Sequence, residues 1–273
     1  MIIKVEQTQA NFKNKFQVLV NDTLKYFAGT PWMNLQVPFH AERIQQCVMT
    51  RTDESICYVT SYDLLDNISN TAIPMKWVVT GEQKSLIFDI IDENGKSCAM
   101  FYKLTNGLWD SKYVIAYADY QLYCYDVSVG STRHIVIYEN DVQIAEIVKP
   151  LAVMDNLDFY YVFLLDAYYE LESILAFFTV FFDYLHYGNR GEVTAKKKEI
   201  QFRYSYDKNR KFYDENWIHN HFGTKDLEQM KEQMAKLQNH MNIQAKHIVL
   251  FIVLVWIVVL VALGSILAAV YFG

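Results

Sequence analysis

The sequence predicts a β-rich α+β protein: an antiparallel barrel or sandwich with a buried helix, then a helical stalk and one transmembrane helix. Three observations predict it. Short β-type runs alternate with turn sequences up to residue 165, an apolar helical stretch covers 170–187, and residues 248–272 carry no charged side chain. The aromatic content (20 Tyr, 17 Phe and 5 Trp) beside only 4 Pro is typical of a folded, strand-rich chain.

Tight reversals divide the first part of the chain into hairpins. Turn sequences stand at Asn21-Asp22, at 92–95, at Asp119-Tyr120 and at 139–141, each between runs of alternating apolar residues. The Asn-Gly pair of the second is a strong short-range hairpin signal. Closely spaced hairpins predict about nine or ten strands in an antiparallel barrel or sandwich, rather than a parallel α/β sheet.

The stretch 170–187 has the length of a helix and is apolar on nearly all sides. A helix that is hydrophobic all round must be buried. Glu172 and Asp183 limit its charge-free part to 173–182, which is too short to cross a bilayer. We therefore expect a central buried helix, with a re-entrant or interfacial segment as the alternative.

A second helix is predicted over 224–247, where apolar residues recur at 3-4-3-4 spacing. From Thr224 to Lys246 it would extend about 35 Å as a stalk. The seam could pair two copies of the chain, or it could lie on a membrane surface or on its own barrel. A small-residue pair in the following segment fits close helix packing. The helix-pairing candidates are Leu227, Met230, Met234, Leu237, Met241, Gly264 and Ala268.

Residues 248–272 predict the transmembrane helix. They would extend about 37 Å as a helix, enough for a hydrocarbon core of about 30 Å. Lys246 and His247 precede the run and no basic residue follows it. The positive-inside rule then predicts a single-pass protein of the cell membrane with a cytoplasmic N-terminal domain. A translocated domain is the alternative.

The net charge of −6 is unevenly distributed. Residues 1–189 carry 13 Lys and Arg against 23 Asp and Glu, which argues against a nucleic-acid binder. Residues 190–211 carry 8 against 3 and form a basic block interleaved with aromatic residues. Such a block suits an anionic lipid or an acidic partner, or else it is a solvated strand edge. Its binding candidates are Lys196, Lys197, Lys198, Arg203, Lys208, Arg210 and Lys211.

The sequence contains no recognisable catalytic, nucleotide-binding or zinc motif, so we expect no catalytic residue, cofactor or metal. His219 and His221 lack the spacing of a metal site and read as solvated loop residues. Asp183 and His186 lie one helical turn apart, and a structural hydrogen bond is favoured over an acid–base pair.

Three passages resemble the tubby C-terminal-like fold, which includes LURP-one-related proteins and phospholipid scramblases. They are the hairpin LIFDIIDENGKSCAMFYK (86–103), IYENDVQIAEIVKP (137–150) and the strand-to-helix passage at 156–184. The resemblance implies a closed antiparallel barrel around a hydrophobic helix, and lipid recognition. The resemblance covers roughly residues 10–190, and the expected domain plan is barrel 1–191, basic connector 192–223, stalk 224–247 and transmembrane helix 248–272, of which the last three segments lie outside the family pattern. The apolar helix is not terminal here, which departs from the family pattern.

Together these observations predict a membrane-anchored, cytoplasmic binding or scaffold module that recognises anionic lipid or a protein partner, with a homodimer through stalk and span as an option. The alternative is a membrane-bound enzyme or a scramblase-like lipid-handling protein. A barrel interior filled by the apolar helix would count against that alternative, because it leaves no room for a substrate.

Overall fold

Twelve antiparallel strands form most of the structure, a computed structural model of the 273-residue chain. The described residues are 1–9, 15–30, 43–63, 82–106, 110–130, 132–150, 157–187, 208–225 and 227–236. The chain divides into two compact units, Met1–Leu227 and Glu228–Gly273. The strands are β1 (Ile2–Gln9), β2 (Lys15–Val20), β3 (Thr23–Gly29), β4 (Arg43–Arg51), β5 (Ile56–Asp63), β6 (Glu82–Asp92), β7 (Ser97–Asn106), β8 (Asp110–Tyr117), β9 (Tyr120–Val129), β10 (Thr132–Glu139), β11 (Val142–Pro150) and β12 (Phe159–Leu164).

The twelve strands close into a barrel because the first strand pairs with the last. Each strand pairs with its neighbours in sequence, and β1 also pairs with β12, with Ile3 opposite Val162 and Val5 opposite Tyr160. Closure removes the unpaired edges that an open sheet would expose. The predicted β-barrel is confirmed. The closing strand β1 was not among the predicted strands, because its partner lies about 160 residues away and leaves no local signal.

Local sequence explains the hairpins of this barrel. In β2 the buried residues Phe16, Val18 and Val20 alternate with more exposed neighbours, so one face points to the interior. Asn21-Asp22 and Asn140-Asp141 both have positive φ values, between 46° and 66°. Two-residue turns with this backbone match the twist of antiparallel strands, and Asn and Asp tolerate it better than most residues.

The helix α1 (Glu172–His186) fills the barrel interior. All its residues from Ile174 to Phe182 are buried, and they form one hydrophobic cluster with the inward side chains of the strands. The ring of Phe181 lies 4.7 Å from that of Phe88 and 5.2 Å from that of Phe101. Edge-on and tilted ring contacts of this kind stabilise an aromatic core. A 3₁₀ helix, Asp166–Leu171, links β12 to α1.

The predicted fold class needs correction in its helical part. No helix among the described residues is long and apolar enough to cross a membrane. The longest helix in the described ranges, α1, has 15 residues and spans only about 22 Å, and the barrel buries its apolar surface. The predicted transmembrane helix 248–272 lies outside the described residues, as do Lys246 and His247, on which the predicted orientation rests. The structure therefore supports a closed barrel with short helices.

After α1 the chain returns to the outside of the barrel. A 3₁₀ helix, Arg210–Phe212, and the short helix α2 (Trp217–His221) belong to a stretch, 208–222, that we call the outer segment. Residues 227–236 are helical, within the predicted stalk. Leu227 is the last residue of the first unit, and the helical residues after it begin the second.

Candidate binding site at the loop end of the barrel

The two ends of the barrel differ in how the strands are joined. At one end the connections are 21–22, 52–55, 93–96, 118–119 and 140–141, all tight. We call this the tight-turn end; α1 begins there. At the other end the connections include 30–42, 64–81 and 151–158, and the chain leaves α1 at Tyr187. We call this the loop end. Binding residues are often carried by loops on a rigid scaffold, so a binding site is expected at the loop end rather than at the tight-turn end.

Inward-facing ionisable side chains collect at the loop end. Those on strands lie on the face that points into the barrel. Arg133, for example, shares a face of β10 with the core residues Ile135 and Ile137. Buried charged groups are rare unless they are paired or hydrogen-bonded. The members are Lys103, Asp126, Arg133, Lys149, Asp158, Asp183 and His186.

Arg133 is the centre of the first half of this cluster. Its side chain is fully buried and forms a bidentate pair with Asp126, in which Nε donates to Oδ1 over 2.8 Å. Its Nη1 atom donates to the Tyr187 hydroxyl over 2.9 Å. His186 lies beside the same guanidinium, and its Nε2 atom is 2.8 Å from the Tyr113 hydroxyl. These bonds tie the end of α1 to three strands.

Lys149 and two carboxyl groups form the second half. The Lys149 ammonium, 1% exposed, pairs with Asp158 and also donates to the Pro150 carbonyl. Burial alone would lower its pKa, but Asp158, Tyr187 and Asp183 together outweigh burial, and the pKa of Lys149 is raised. The Tyr160 hydroxyl donates to Asp183 Oδ1 over 2.5 Å. The Asp183 carboxyl group is buried and also lies within hydrogen-bonding reach of Asp158.

Asp183 keeps its proton at neutral pH. Burial, and then the charge of Asp158, raise the pKa of its carboxyl group to about 8, although Tyr160 and Lys149 act against this. One lysine faces two carboxyl groups here, and the geometry is balanced only when one of the two is neutral. With Asp183 protonated, the pairs Arg133–Asp126 and Lys149–Asp158 are each neutral.

Tyr187 and Asn209, the described residues on either side of most of the basic block, both contact this cluster. Tyr187, which precedes the block, is 2% exposed and bonded to Arg133. Asn209, near its end, is 1% exposed, and its side-chain amide donates to the main-chain carbonyl of Asp126 over 3.1 Å. Because Arg133 and Asp126 are themselves paired, both ends of 188–208 are held at the loop end.

Aromatic contacts hold the outer segment on the face of β9, β10 and β12. The Phe212 ring stacks on Tyr125 at 3.7 Å, and the Tyr138 hydroxyl donates to the Phe212 carbonyl over 2.8 Å. Further along, the Phe222 ring lies 5.1 Å from Phe163. The outer segment is therefore packed on the barrel rather than extended away from it.

A chain of polar groups lies beneath Tyr213 of the outer segment. The imidazole of His134 bonds to Glu146 through Nδ1 over 2.7 Å and to the Thr132 hydroxyl through Nε2 over 2.7 Å. The order hydroxyl, imidazole, carboxylate resembles a catalytic triad. However, the Thr132 hydroxyl donates its proton to the Val129 carbonyl, and His134 is only 7% exposed, so neither group is placed to react with a substrate. We interpret this chain as structural support for Tyr213, whose ring lies 4.9 Å from His134.

The described part of the predicted basic site is exposed and lies on the outer segment. Lys208, Arg210 and Lys211 are exposed, while Phe212 and Tyr213 beside them are partly buried. Arg210 lies over the Tyr213 ring at 5.2 Å, and Lys211 lies over the Phe212 ring at 4.9 Å. A solvated strand edge does not describe these three residues, because they lie outside the closed barrel's strands. Lys196, Lys197, Lys198 and Arg203 lie outside the described residues.

The helix-pairing candidates are only partly described. Leu227 is buried and belongs to the first unit, whereas Met230 and Met234 lie in the helical residues of the second. Leu237, Met241, Gly264 and Ala268 lie outside the described residues. Pairing of two chains stays a prediction.

Two further sequence-based expectations have an outcome here. Asp183 bonds to Tyr160 and His186 bonds to Tyr113, so each of the two has its own structural partner on a strand. His219 and His221 lie exposed in α2, a helix rather than a loop. In the described ranges, no group of three or more His, Cys, Asp or Glu side chains is placed to hold a metal ion.

Sequence reasoning missed most of the loop-end cluster. Asp126, Arg133 and Lys149 sit in strands that carry apolar residues on both faces, so a simple alternation does not show which face points inward. The available signal was Arg133, in the phase of Ile135 and Ile137. Comparison of the chain with models of protein families, with curated proteins and with solved structures gave no match.

Proposed function

We propose that the protein is a non-enzymatic binding module that uses the loop end and its basic block to bind anionic lipid headgroups. The observation that carries the proposal is the double anchoring of the basic block at Tyr187 and Asn209. Lysines and arginines held beside one another attract an anionic surface, and each contributes about 1 kcal/mol near it. The exposed side chains of Lys208, Arg210 and Lys211 are available for this.

The filled interior supports a binding module over an enzyme or a scramblase-like lipid handler. The residues of α1 from Ile174 to Phe182 pack against the strands in a single core. Small-molecule sites are usually clefts with a few convergent polar groups. At the loop end the described carboxylates are already engaged by Arg133, Lys149 and Tyr160, which suits a structural network better than acid–base catalysis.

The closed barrel around an apolar helix is also what membership of the tubby C-terminal-like fold would require. Twelve antiparallel strands close around α1, and the strand before it leads directly into that helix. Under this proposal the barrel is a rigid carrier, and the specificity lies in its connections and in the basic block.

Vesicle binding of the full chain tests the proposal. Binding to phosphatidylcholine vesicles is compared with binding to vesicles that also contain phosphatidylserine, at low and high salt. We expect tighter binding to the anionic vesicles, and we expect salt to reverse the difference, because exposed charges are screened. Lys208→Gln with Lys211→Gln should weaken the anionic component about tenfold.

A matched pair of lysines at the tight-turn end provides the control. Lys25 and Lys96 are both exposed there, and because Lys25 pairs with Glu172, the double variant is first checked for an unchanged unfolding midpoint. Lys25→Gln with Lys96→Gln removes the same charge and should leave vesicle binding within about twofold of the wild type. Equal losses in the two double variants would mean that only net charge matters. Lys196–Lys198→Ala without any loss would remove the basic block from the binding surface and overturn the proposal.

A further inference from the structure

We propose that Lys103, inside the loop end of the barrel, is the cationic ligand of a binding site for a phosphate-type anion. The site deepens the function proposed above and rests on it in one respect: the same anion can be a lipid headgroup or free phosphate. Lys103 was not singled out by any sequence pattern.

The backbone register points Lys103 inward. On β7 it follows Phe101 by two residues, and Phe101 is fully buried in the core. Its Cα partners are Ser85 on β6 and Tyr113 on β8, and Tyr113 is also a core residue. Side chains two apart on a strand share a face, so the Lys103 side chain starts towards the interior, near the end of the barrel.

Among the inward-facing cations of the loop end that the structure describes, Lys103 differs from the other two in having no counterion. Arg133 pairs with Asp126, and Lys149 pairs with Asp158. Among the residues that the structure describes, none forms a salt bridge or a hydrogen bond with Lys103. Its side chain is partly exposed, so an anion can reach it from solvent.

The surroundings leave one positive charge uncompensated. Asp126 is the nearest described charge that acts on Lys103, but Arg133 engages both of its carboxylate oxygens. Burial lowers the pKa of the Lys103 ammonium, and Asp126 only partly opposes this. A desolvated ammonium gains more from an anionic ligand than an exposed one does, because water no longer competes fully for it.

The strands on both sides of Lys103 carry hydroxyl side chains of a kind that suits an oxyanion, although the Tyr113 hydroxyl also bonds to His186. Tyr113 and Ser85 are its Cα partners across the two ladders, and Tyr113 keeps its proton because burial raises the pKa of its hydroxyl. Hydroxyl donors and an ammonium together are a common ligand set for phosphate oxygens. A lysine whose ammonium only extends into solvent would need no hydroxyl donors on the neighbouring strands.

Calorimetric titration of the full chain with inorganic phosphate at low salt tests the site. We expect saturable binding with one phosphate per chain. Lys103→Met removes the ammonium and should weaken the affinity at least tenfold, since a charge-assisted hydrogen bond is lost. Lys103→Arg keeps the charge and should retain affinity within a few-fold, which separates loss of the ligand from loss of folding.

Lys84 is the matched control, because it lies on the neighbouring strand, opposite Leu104, and faces outward over the Tyr102 ring. Lys84→Met should leave phosphate affinity within about twofold. A wild-type chain that does not bind phosphate saturably, or equal affinities for the wild type and Lys103→Met, would overturn the site. A second readout is the NMR titration of the Lys103 side chain: its pKa should rise when phosphate is added.

Vesicle binding of the same variant separates the two sources of the anion. If Lys103→Met loses phosphate but keeps its binding to phosphatidylserine vesicles, free phosphate is the ligand of the site. If it loses both, the ligand is the lipid headgroup. The proposed function fails separately, when Lys196–Lys198→Ala still binds vesicles as the wild type does while phosphate binding is intact.

Discussion

The tight-turn end and the loop end of one barrel handle charge in opposite ways. At the tight-turn end each of these ion pairs has at least one partner open to solvent: Asp22 is 67% exposed beside Lys4, Asp166 is 89% exposed beside the N-terminal amino group, and Lys25 is 43% exposed beside Glu172. At the loop end the side chains of Arg133 and Lys149 are at most 1% exposed. Exposed pairs contribute little to stability, whereas breaking a buried pair is costly.

This difference indicates that the buried residues of the loop end do more than close the barrel. Two-residue turns with positive φ are enough to reverse the strands at the tight-turn end. At the loop end, paired ions fix the end of α1 and both ends of the basic block. A purely apolar plug would fill the same volume with less desolvation cost, so the buried ions favour a role in positioning.

The largest expected effect comes from removing the loop-end arginine. Arg133→Met leaves Asp126 buried without its cation and takes a hydrogen bond from Tyr187. We expect a loss of about 4 kcal/mol in the free energy of unfolding, measured by urea denaturation. A loss below 1 kcal/mol would place this pair in the same class as those of the tight-turn end.

The second prediction concerns pH. The pKa of Asp183 is about 8 in the folded chain and 3.8 is its ordinary value, so the folded state binds the extra proton between these limits. Stability is therefore greatest at low pH with respect to this group, and it is lost as the pH rises towards 8. Asp183→Asn imitates the protonated form and should flatten this part of the pH dependence, on the order of 3 kcal/mol.

Denaturation midpoints of the wild type and Asp183→Asn between pH 5 and pH 8.5 check this. Asp119→Asn, in the exposed turn between β8 and β9, is the matched control and should keep the wild-type slope. Parallel curves for the wild type and Asp183→Asn would mean that Asp183 is ionised throughout the range.

A smaller effect is expected at the outer segment. Phe212→Ala removes the ring that stacks on Tyr125 and should cost about 1.5 kcal/mol, mostly as local opening. Hydrogen exchange should then speed up for residues 208–213 and remain unchanged in β1 and β12. Tyr169→Ala, 65% exposed near the tight-turn end, should alter neither region. Uniformly faster exchange would contradict a local role.

The smallest effect is predicted for an ion pair of the tight-turn end. Lys4→Met breaks the pair with Asp22, which is exposed to solvent. We expect a change of about 0.5 kcal/mol or less in the free energy of unfolding, and none in vesicle binding. A loss comparable to that of Arg133→Met would erase the difference between the two ends.

The hairpins could be predicted from the sequence because their signals are local. Asn94-Gly95 and Asn140-Asp141 lie between alternating apolar runs, and both are turns in the structure. Barrel closure could not be predicted in this way, since it depends on pairing between β1 and β12. The predicted count of nine or ten strands was two or three below the observed twelve, and β1 (Ile2–Gln9) is one of those it omitted.

The loop-end cluster was harder to predict than the fold. The spacing of Asp183 and His186 on one helix was visible, but their partners Tyr160 and Tyr113 come from strands that only the closed barrel brings near. The basic block was visible as composition, whereas its attachment depends on Tyr187 and Asn209, two residues that look unremarkable in sequence. The charge pattern of the sequence predicted an anionic partner, whereas the place of the basic block on the barrel depends on the topology of the fold.

Hydrogen exchange of the full chain with and without phosphatidylserine vesicles tests the central claim most directly, because it compares the two ends in one experiment. The account predicts slower exchange with vesicles at residues 208–211 and at Gly130, and unchanged exchange at Asn21-Asp22 and Asn140-Asp141. Protection at those tight turns, with none at the loop end, would contradict it.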